Sequence, residues 1–598
     1  MLGPPNSGKM GRVLEWWHDR LALNPVVVAP TGPDAQELTL EMLRRVGALV
    51  GRSPSLTFDG LVAEALGERP RYASSFQRDL ILKRILDETP LRSLAAVAGF
   101  PGTLTALSAL LRRLEESGRP VQEIQAMLCA WGGSDPSVAP LADDLAQVVG
   151  SYEDARESQG LTDSPAAVRA ARERMGSWNR PVALYGFSSF TPGQRAFVEA
   201  LCARVPVVMS LPYDRSRLVN LAGLAEVARW EAIAGHVVEL AAQTRAYSSP
   251  AIAFLERNFM NAGASTPPPV TAGGPQGVRF LLAAGQRNEA ELAAEQIGEL
   301  IRQGFSPGRV GVVVRHVDTW SGLLSQVFDS CSIPFRLDAG HAFRRCGLGH
   351  AFLSALEGWI NDDPGALLAF LRSPYSGLDL GTVGHIEAKY RRGLRRGVTP
   401  LISLLGSETP MSLQLLREAV TGQGVGVRLD IRGLWELTRE LLTAGLRGVS
   451  GLSRVIEEDS RAYCALEEAI SALGEVSQGG AEPGWLAARL VLPALERMTV
   501  PPGPVEGQDA VQILNPQRAR ARRFDALFIL GLVDGEFPAR PDSPSLLSEG
   551  QRARIDRLGG GGILPPEVDG EAALFASAIS RPWQILYLSA RDADDGGG

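Results

Sequence analysis

Residues Val511 to Pro538 read VQILNPQRARARRFDALFILGLVDGEFP. Two short apolar runs stand here, Ala510–Leu514 and Ala526–Leu530, bounded by turn-forming or charged residues, and both read as strands. A helix-like EAALFASAIS from Glu571 to Ser580 leads into a third strand-like run, Gln584–Ser589. Upstream, Val278–Ala283 (VRFLLA) reads as a strand, Glu289–Gln303 as a helix and Val310–Arg315 (VGVVVR) as another strand. Strands alternating with helices build parallel sheets. A mostly helical stretch, from about Gly347 to Pro502, separates this group from the one at Val511 and reads as an insertion.

The N-terminal half follows the same plan. PVVVAP closes Leu23–Pro30, Thr31–Val50 has helical spacing, and Ser55–Leu66 (SLTFDGLVAEAL) sets Thr57 ahead of a second helix. Amphipathic helices run from about Tyr72 to Met175, after which strand-like runs resume at Pro181–Tyr185 and Val205–Leu211. The Pro-rich Ser265–Val270 (STPPPV) reads as a linker. The expected fold class is α/β, with two parallel-sheet domains, each interrupted by a mainly helical insertion. Residues 1–66 and 180–264 form the first, with 67–179 as its insertion. A linker at 265–277 leads to the second, 278–346 and 503–598, whose insertion is 347–502.

A chain of 598 residues is too long for one hydrophobic core, and the length prior gives roughly four domains of about 150 residues. With 45% apolar and 21% charged residues, the composition is that of a folded protein with little room for disorder. The net charge of -7 excludes a wholly basic nucleic-acid coat protein and leaves a local basic channel open. Cys129, Cys202, Cys331, Cys346 and Cys464 match neither a zinc site nor a disulfide framework in their spacing. Buried thiols in a reducing cytoplasm are expected. No apolar run approaches the roughly 18 residues of a membrane span, and no signal pattern opens the chain, so a soluble, cytoplasmic protein is expected. Lys9, Lys83 and Lys389 are the only lysines among 60 basic residues, which singles each of them out.

Lys9 closes GPPNSGKM, Gly3 to Met10, a match to G-x-x-x-x-G-K. In such a loop the glycines let backbone N–H groups wrap a phosphate, the following helix, expected at Arg12–Leu21, presents its positive end, and the lysine reaches the terminal phosphates. Met10 stands where a hydroxyl normally holds magnesium, and its thioether is a poor ligand for a hard cation. Only Met1 and Leu2 precede Gly3, so the strand ahead of the loop is read as truncated.

With these elements in order, the chain resembles UvrD-like superfamily 1 helicases. The loop corresponds to their first motif, Val511–Pro538 to motif V and Glu571–Ser589 to motif VI. The form is closest to AddB-type subunits of bacterial helicase-nucleases, and the resemblance covers almost the whole chain. It implies two RecA-like domains, 1A and 2A, with insertions 1B and 2B. Active members carry two acidic residues after an apolar strand, one for magnesium and one to activate water. Aligning PVALYGFSSFTPGQ, Pro181 to Gln194, sets Tyr185 and Gly186 at those positions. AddB-type proteins are similar in having a glycine-phenylalanine here and a helicase fold that does not drive translocation; this chain departs further, lacking the first aspartate as well. The resemblance makes Gly3, Ser7, Gly8 and Lys9 nucleotide-binding residues. To these it adds Arg315 after the motif IV strand and Arg581 in the SRP of motif VI, where the family contacts the γ-phosphate. Arginine suits planar oxyanions, and the same two residues also read as structural donors between the halves. ATP with magnesium is left as a weak ligand, and hydrolysis is expected to be lost.

DNA contacts are implied in the same way. Pro30-Thr31 and Thr57-Phe58 lie where the family touches the strand backbone and stacks on bases, for which hydroxyls and an aromatic ring are suited. Spacing alone makes Phe58 a core residue more often than a stacker. Arg518, Arg520, Arg522 and Arg523 form a basic run beside motif V that reads either as a strand channel, with Arg520 and Arg522 as contacts, or as a solvated loop. A second cluster, Arg391, Arg392, Arg395 and Arg396, follows Glu387-Ala388-Lys389, with Asp379 upstream. Two carboxylates and a lysine around a metal suit phosphodiester cleavage, but the local pattern is a helix, not the strand such a site needs. AddB-type proteins carry a nuclease domain and cluster-holding cysteines in the region after motif VI. Here the sequence runs out at RDADDGGG, and no cysteine follows Cys464, so neither the nuclease nor an iron-sulfur cluster is expected in these residues.

The leading expectation is a degenerate helicase-like subunit that binds single-stranded DNA or a duplex end beside an AddA-type helicase-nuclease subunit. Its setting would be double-strand break repair by homologous recombination. The alternative is an active ATP-dependent UvrD-like DNA helicase with an atypical ATPase site. A scaffold binding neither ATP nor DNA is a third class, against which Lys9, Arg315 and Arg581 count.

Overall fold

Two parallel sheets organise the chain. The computed structural model describes residues 1–47, 53–243, 246–261, 277–338, 340–393, 396–422, 426–447, 454–477, 484–503, 509–520, 522–539, 546–561, 563–564 and 570–592. A two-residue strand, β1 (Leu2–Gly3), comes first. The first sheet consists of β2 (Val26–Ala29), β3 (Ser55–Thr57), β4 (Val182–Leu184) and β5 (Val207–Met209), in the order β3-β2-β4-β5, all parallel. β1 stays outside it and pairs in parallel with β6 (Leu211–Pro212). The single strand expected over Val205–Leu211 is therefore two, because Leu211 leaves the sheet to meet Leu2.

The second sheet contains β7 (Gly277–Ala283), β8 (Val310–Val313), β9 (Phe335–Leu337), β10 (Val511–Leu514), β11 (Phe524–Ile529) and β12 (Pro582–Arg591). Their order is β7-β12-β11-β8-β10-β9, again all parallel.

Continuous apolar runs form these strands because both faces of each sheet are covered. In the first sheet Val26, Val28, Val182 and Leu184 pack on one side, and Val27, Ala29 and Ala183 on the other. In the second, Val310, Val312, Ala526, Phe528 and Tyr587 alternate with Val313, Leu527, Ile529 and Leu586. Gly311 permits this closeness: a Cβ there would lie 2.8 Å from the Leu527 side chain.

Helices interrupt both sheets. Between β3 and β4 they run from Ser75–Glu88 to Ser164–Glu173. Between β9 and β10 they run from Gly347–Ile360 to Ala488–Glu496 around a small antiparallel sheet of residues 420–421, 428–430 and 485–487. The fold is thus the expected α/β plan of two parallel sheets with mainly helical insertions.

The two halves are also sewn together. Leu547, Ile555, Ile563 and Leu564, from the excursion between β11 and β12, share a core with Met127, Leu128 and Trp131 of the first insertion. Arg119 Nη2 donates to the Gly559 carbonyl at 2.8 Å, and Arg497 Nε to Asp79 at 2.6 Å.

Of the cysteines only Cys346 is buried; Cys129, Cys202, Cys331 and Cys464 are exposed, the first on an outward helical position beside buried Leu128. The linker at Ser265–Val270 and Arg395 lie outside the described residues. Asp379 caps the helix Leu380–Arg392, on which Glu387 pairs with Arg372 and Arg391, so this cluster is a helical surface. Among the described residues no helix is long and apolar enough to cross a membrane.

Candidate functional site

The loop before the first long helix folds tightly because Gly8 takes a left-handed conformation, φ 85°, and caps the helix Lys9–His18. That helix starts at Lys9, nearly a turn earlier than the sequence pattern placed it. The left-handed conformation is what reserves the position for glycine; a Cβ there would stand 2.7 Å from Gln243 Nε2, the movable end of a flexible side chain. Lys9 Nζ turns back into its own loop and donates to the carbonyls of Gly3 at 2.6 Å and Pro4 at 2.5 Å, and to Ser7 Oγ at 3.1 Å. Asn6 Nδ2 donates to Tyr247 Oη at 2.7 Å and, across to the other half, to the Ser580 carbonyl at 2.9 Å.

A cleft of about 1270 Å³ opens between the halves, with this loop on one wall. On the opposite wall stand Arg315 after β8, Arg520 and Arg523 between β10 and β11, and Arg581 at the end of the helix Glu571–Ile579. Arg581 fastens its guanidinium to the Ser577 carbonyl at 3.2 Å, the Ser580 hydroxyl at 2.8 and 2.6 Å and the Arg520 carbonyl at 2.7 Å. Arg520 donates to Ser188 Oγ at 3.2 Å, and Arg523 to the carbonyls of Ser580, at 2.8 Å, and Ala246.

These cations depress one another. Burial first, and Arg581 second, lower Lys9 to about 7 and Arg523 to about 10. The same two causes lower Arg520, and burial lowers Arg581 itself. Each is thereby poised to gain from a bound anion.

Arg315 differs. Its Nε lies 3.0 and 2.9 Å, and its Nη2 2.7 Å, from the Glu571 carboxylate oxygens, a two-pronged pairing. Glu571 also accepts from the Ala539 N–H at 3.0 Å. Burial pushes its carboxyl up, but the bonds from Arg315 and Ala539 outweigh burial and hold it below the usual range.

Magnesium does not fit this donor set. It demands oxygen ligands in a near-octahedral array, usually including carboxylate. Met10 presents a thioether, and Tyr185 and Gly186 stand just past β4 where acidic groups would be needed. Among the described residues lining the cleft, Glu571 is the one carboxylate, and it is held by Arg315.

The residues read as DNA contacts separate into four places. Thr31 stands two residues past β2 and Thr57 ends the neighbouring parallel β3, in a register that pairs Ala29 with Thr57. Each caps a helix, Thr31 Oγ1 accepting from the Asp34 N–H at 3.3 Å and Thr57 Oγ1 from Gly60 at 3.1 Å. Two helix N-termini thus open toward one edge of the sheet, an arrangement suited to phosphate. Phe58 is a correction: only 5% exposed, it packs edge-on against Phe187 and Phe197, so its ring faces the core and not a base. Arg520 and Arg522, read as strand-channel contacts, lie apart from each other. Arg520 lines the cleft between the halves, while Arg522 is paired with the buried Asp338 and donates to Gln512 at 2.7 Å.

Sequence reading passed over Glu571, Arg523 and Arg217 as cleft residues. Arg217 is itself paired with Asp214 and Glu256. The available signal was Glu571, an acidic residue opening the helix that runs to Ile579, two residues before Arg581; nothing local marks Arg217.

No family model matches the chain. It is 27% identical to the AddB protein of Desulforudis audaxviator, which is named as a subunit of an ATP-dependent helicase/deoxyribonuclease, over 84% of this chain and 48% of that protein. Proteins of the same name from Pelotomaculum thermopropionicum and Moorella thermoacetica are each 25% identical, over 100% and 99% of this chain respectively and 57% of each relative. The chain spans about half the length of these curated relatives. The AddB-type resemblance read from a few motifs therefore extends along the chain as a whole.

Proposed function

We propose that this chain is a helicase-like, DNA-engaging subunit of a bacterial helicase-nuclease complex that repairs double-strand breaks through homologous recombination. In this reading residues 1–66 with 180–264 and 278–346 with 503–598 are the two RecA-like halves, and an AddA-type partner supplies the motor. The observation that carries it is the cleft, which keeps a phosphate loop, Lys9 and a wall of arginines but has Tyr185, Gly186 and Met10 where hydrolysis needs acids and a hydroxyl. A site that keeps anion affinity and lacks the groups that hold magnesium and activate water suits a subunit that binds without turning over. The edge formed by Thr31 and Thr57 supplies backbone contacts to DNA, through hydroxyls and helix N-termini.

DNA-stimulated ATP hydrolysis by the purified chain, run beside Lys9→Ala, together with filter binding to single-stranded and duplex-end DNA at two salt concentrations, tests this. DNA binding that weakens with salt, without turnover, is expected. Turnover that vanishes in Lys9→Ala would make the chain an active helicase with replacement groups. Absence of DNA binding would reduce it to a scaffold.

A further inference from the structure

The cationic side chains of the cleft are not equivalent, and the difference points to how a ligand is held. Arg315 is matched by Glu571, and Arg217 by Asp214 and Glu256. Among the described residues no carboxylate lies within ion-pair distance of Lys9, Arg520, Arg523 or Arg581. Arg581 offers five N–H donors. Its contacts to Ser577, Ser580 and the Arg520 carbonyl engage three, one each on Nε, Nη1 and Nη2. One N–H on each terminal nitrogen remains to serve a ligand. Arg520 makes one contact, to a hydroxyl. A divalent cation entering here would add charge where these groups already repel one another, and the carboxylates of Glu571 and Glu256 nearby are already held by Arg315 and Arg217.

We propose that the cleft binds a nucleoside triphosphate as the metal-free anion, its polyphosphate chain seated between Lys9, Arg581 and Arg520, with the two arginines in the place that magnesium takes in related sites. Arg520 is thereby a phosphate-binding residue and not a DNA contact. Planar guanidinium groups can bridge neighbouring phosphate oxygens as a metal would, without the rigid geometry that magnesium requires. The inference rests on the helicase-like reading only in taking the ligand to be a nucleotide.

Titration calorimetry of the whole chain with ATP and with inorganic tripolyphosphate, in EDTA and in excess magnesium, tests it. Both ligands are expected to bind in EDTA at least as tightly as with magnesium. Arg520→Gln should weaken ATP about tenfold, which corresponds to about 1.4 kcal/mol, while Arg315→Gln should change it less than about twofold. Circular dichroism and the melting temperature check that the variants fold, and the EDTA comparison needs no variant. Binding seen only with magnesium, no binding under either condition, or an unaffected Arg520→Gln overturns the proposal. If nucleotide fails while DNA still binds, the metal-free seat falls and the subunit reading stands; the reverse pattern removes the subunit reading alone.

Discussion

The two ends of the cleft between the halves carry the same kind of side chain in opposite electrostatic states. At the Arg315 end the guanidinium and the Glu571 carboxylate meet in a two-pronged pair and each settles the other. At the Lys9 end, Arg520, Arg523 and Arg581 are secured by carbonyls and hydroxyls. Neutral acceptors fix a guanidinium in space without cancelling its charge, so this end keeps its attraction for anions. An arginine near a phosphate loop is therefore not in itself a phosphate ligand; its counter-ion decides.

The largest test of this contrast is charge reversal at the open end. Arg520→Glu should lower ATP affinity by about a hundredfold or more, since hydrogen bonds to charged groups contribute about 1.5–3 kcal/mol and the new carboxylate repels phosphate; calorimetry measures it. Arg315→Glu serves as the paired control.

Breaking the closed end comes next. Glu571→Ala should destabilise the chain by about 1–3 kcal/mol in denaturant unfolding, because it leaves a partly buried guanidinium without its acceptor. It should also raise ATP affinity by about three- to tenfold, within about 1.4 kcal/mol, as Arg315 turns to phosphate instead. Unchanged affinity would mean that Arg315 cannot reach the ligand.

The pH dependence sharpens the picture at Lys9, whose pKa in the folded chain is lowered from 10.5 to about 7, chiefly by burial. Between those values the unfolded chain binds more protons than the folded one, so stability should rise with pH across that window, and the penalty of the buried charge is fully present below it. Lys9→Met should flatten this slope. Nucleotide binding near pH 8 should take up protons, seen as a calorimetric heat that varies with buffer ionisation enthalpy.

The smallest effect is expected outside the cleft. Thr57→Ala removes a helix cap and should cost about 1 kcal/mol of stability, with a modest fall in DNA binding. Phe58→Leu should affect folding more than DNA binding, because the Phe58 ring is packed among Phe187 and Phe197.

Much of the scaffold was legible in the sequence. Runs such as VVVA, VGVV and FDALFI form strands wherever they occur in a chain whose helices can cover both faces, and the Gly-Lys pair at residues 8–9 fixes a local turn through its own backbone preference. These signals depend on neighbours a few residues away. Arg520 and Arg522 show where such reading ends: two residues apart in one basic run, they part company, one lining the cleft and the other bound to Asp338. Phe58 is similar: spacing favoured the core over a stacking platform, and its packing against Phe187 and Phe197 agrees with the favoured reading.

The sequence by itself determined the strands, the helical insertions, the tight Gly-Lys loop and the residue types that stand in and around it, because each is a property of residue type and local spacing. Only the tertiary structure decided which arginines face an anion and which are already neutralised. Arg315 and Glu571 are 256 residues apart, and an ion pair depends on the few ångströms between charges in space, which local spacing along the chain does not constrain.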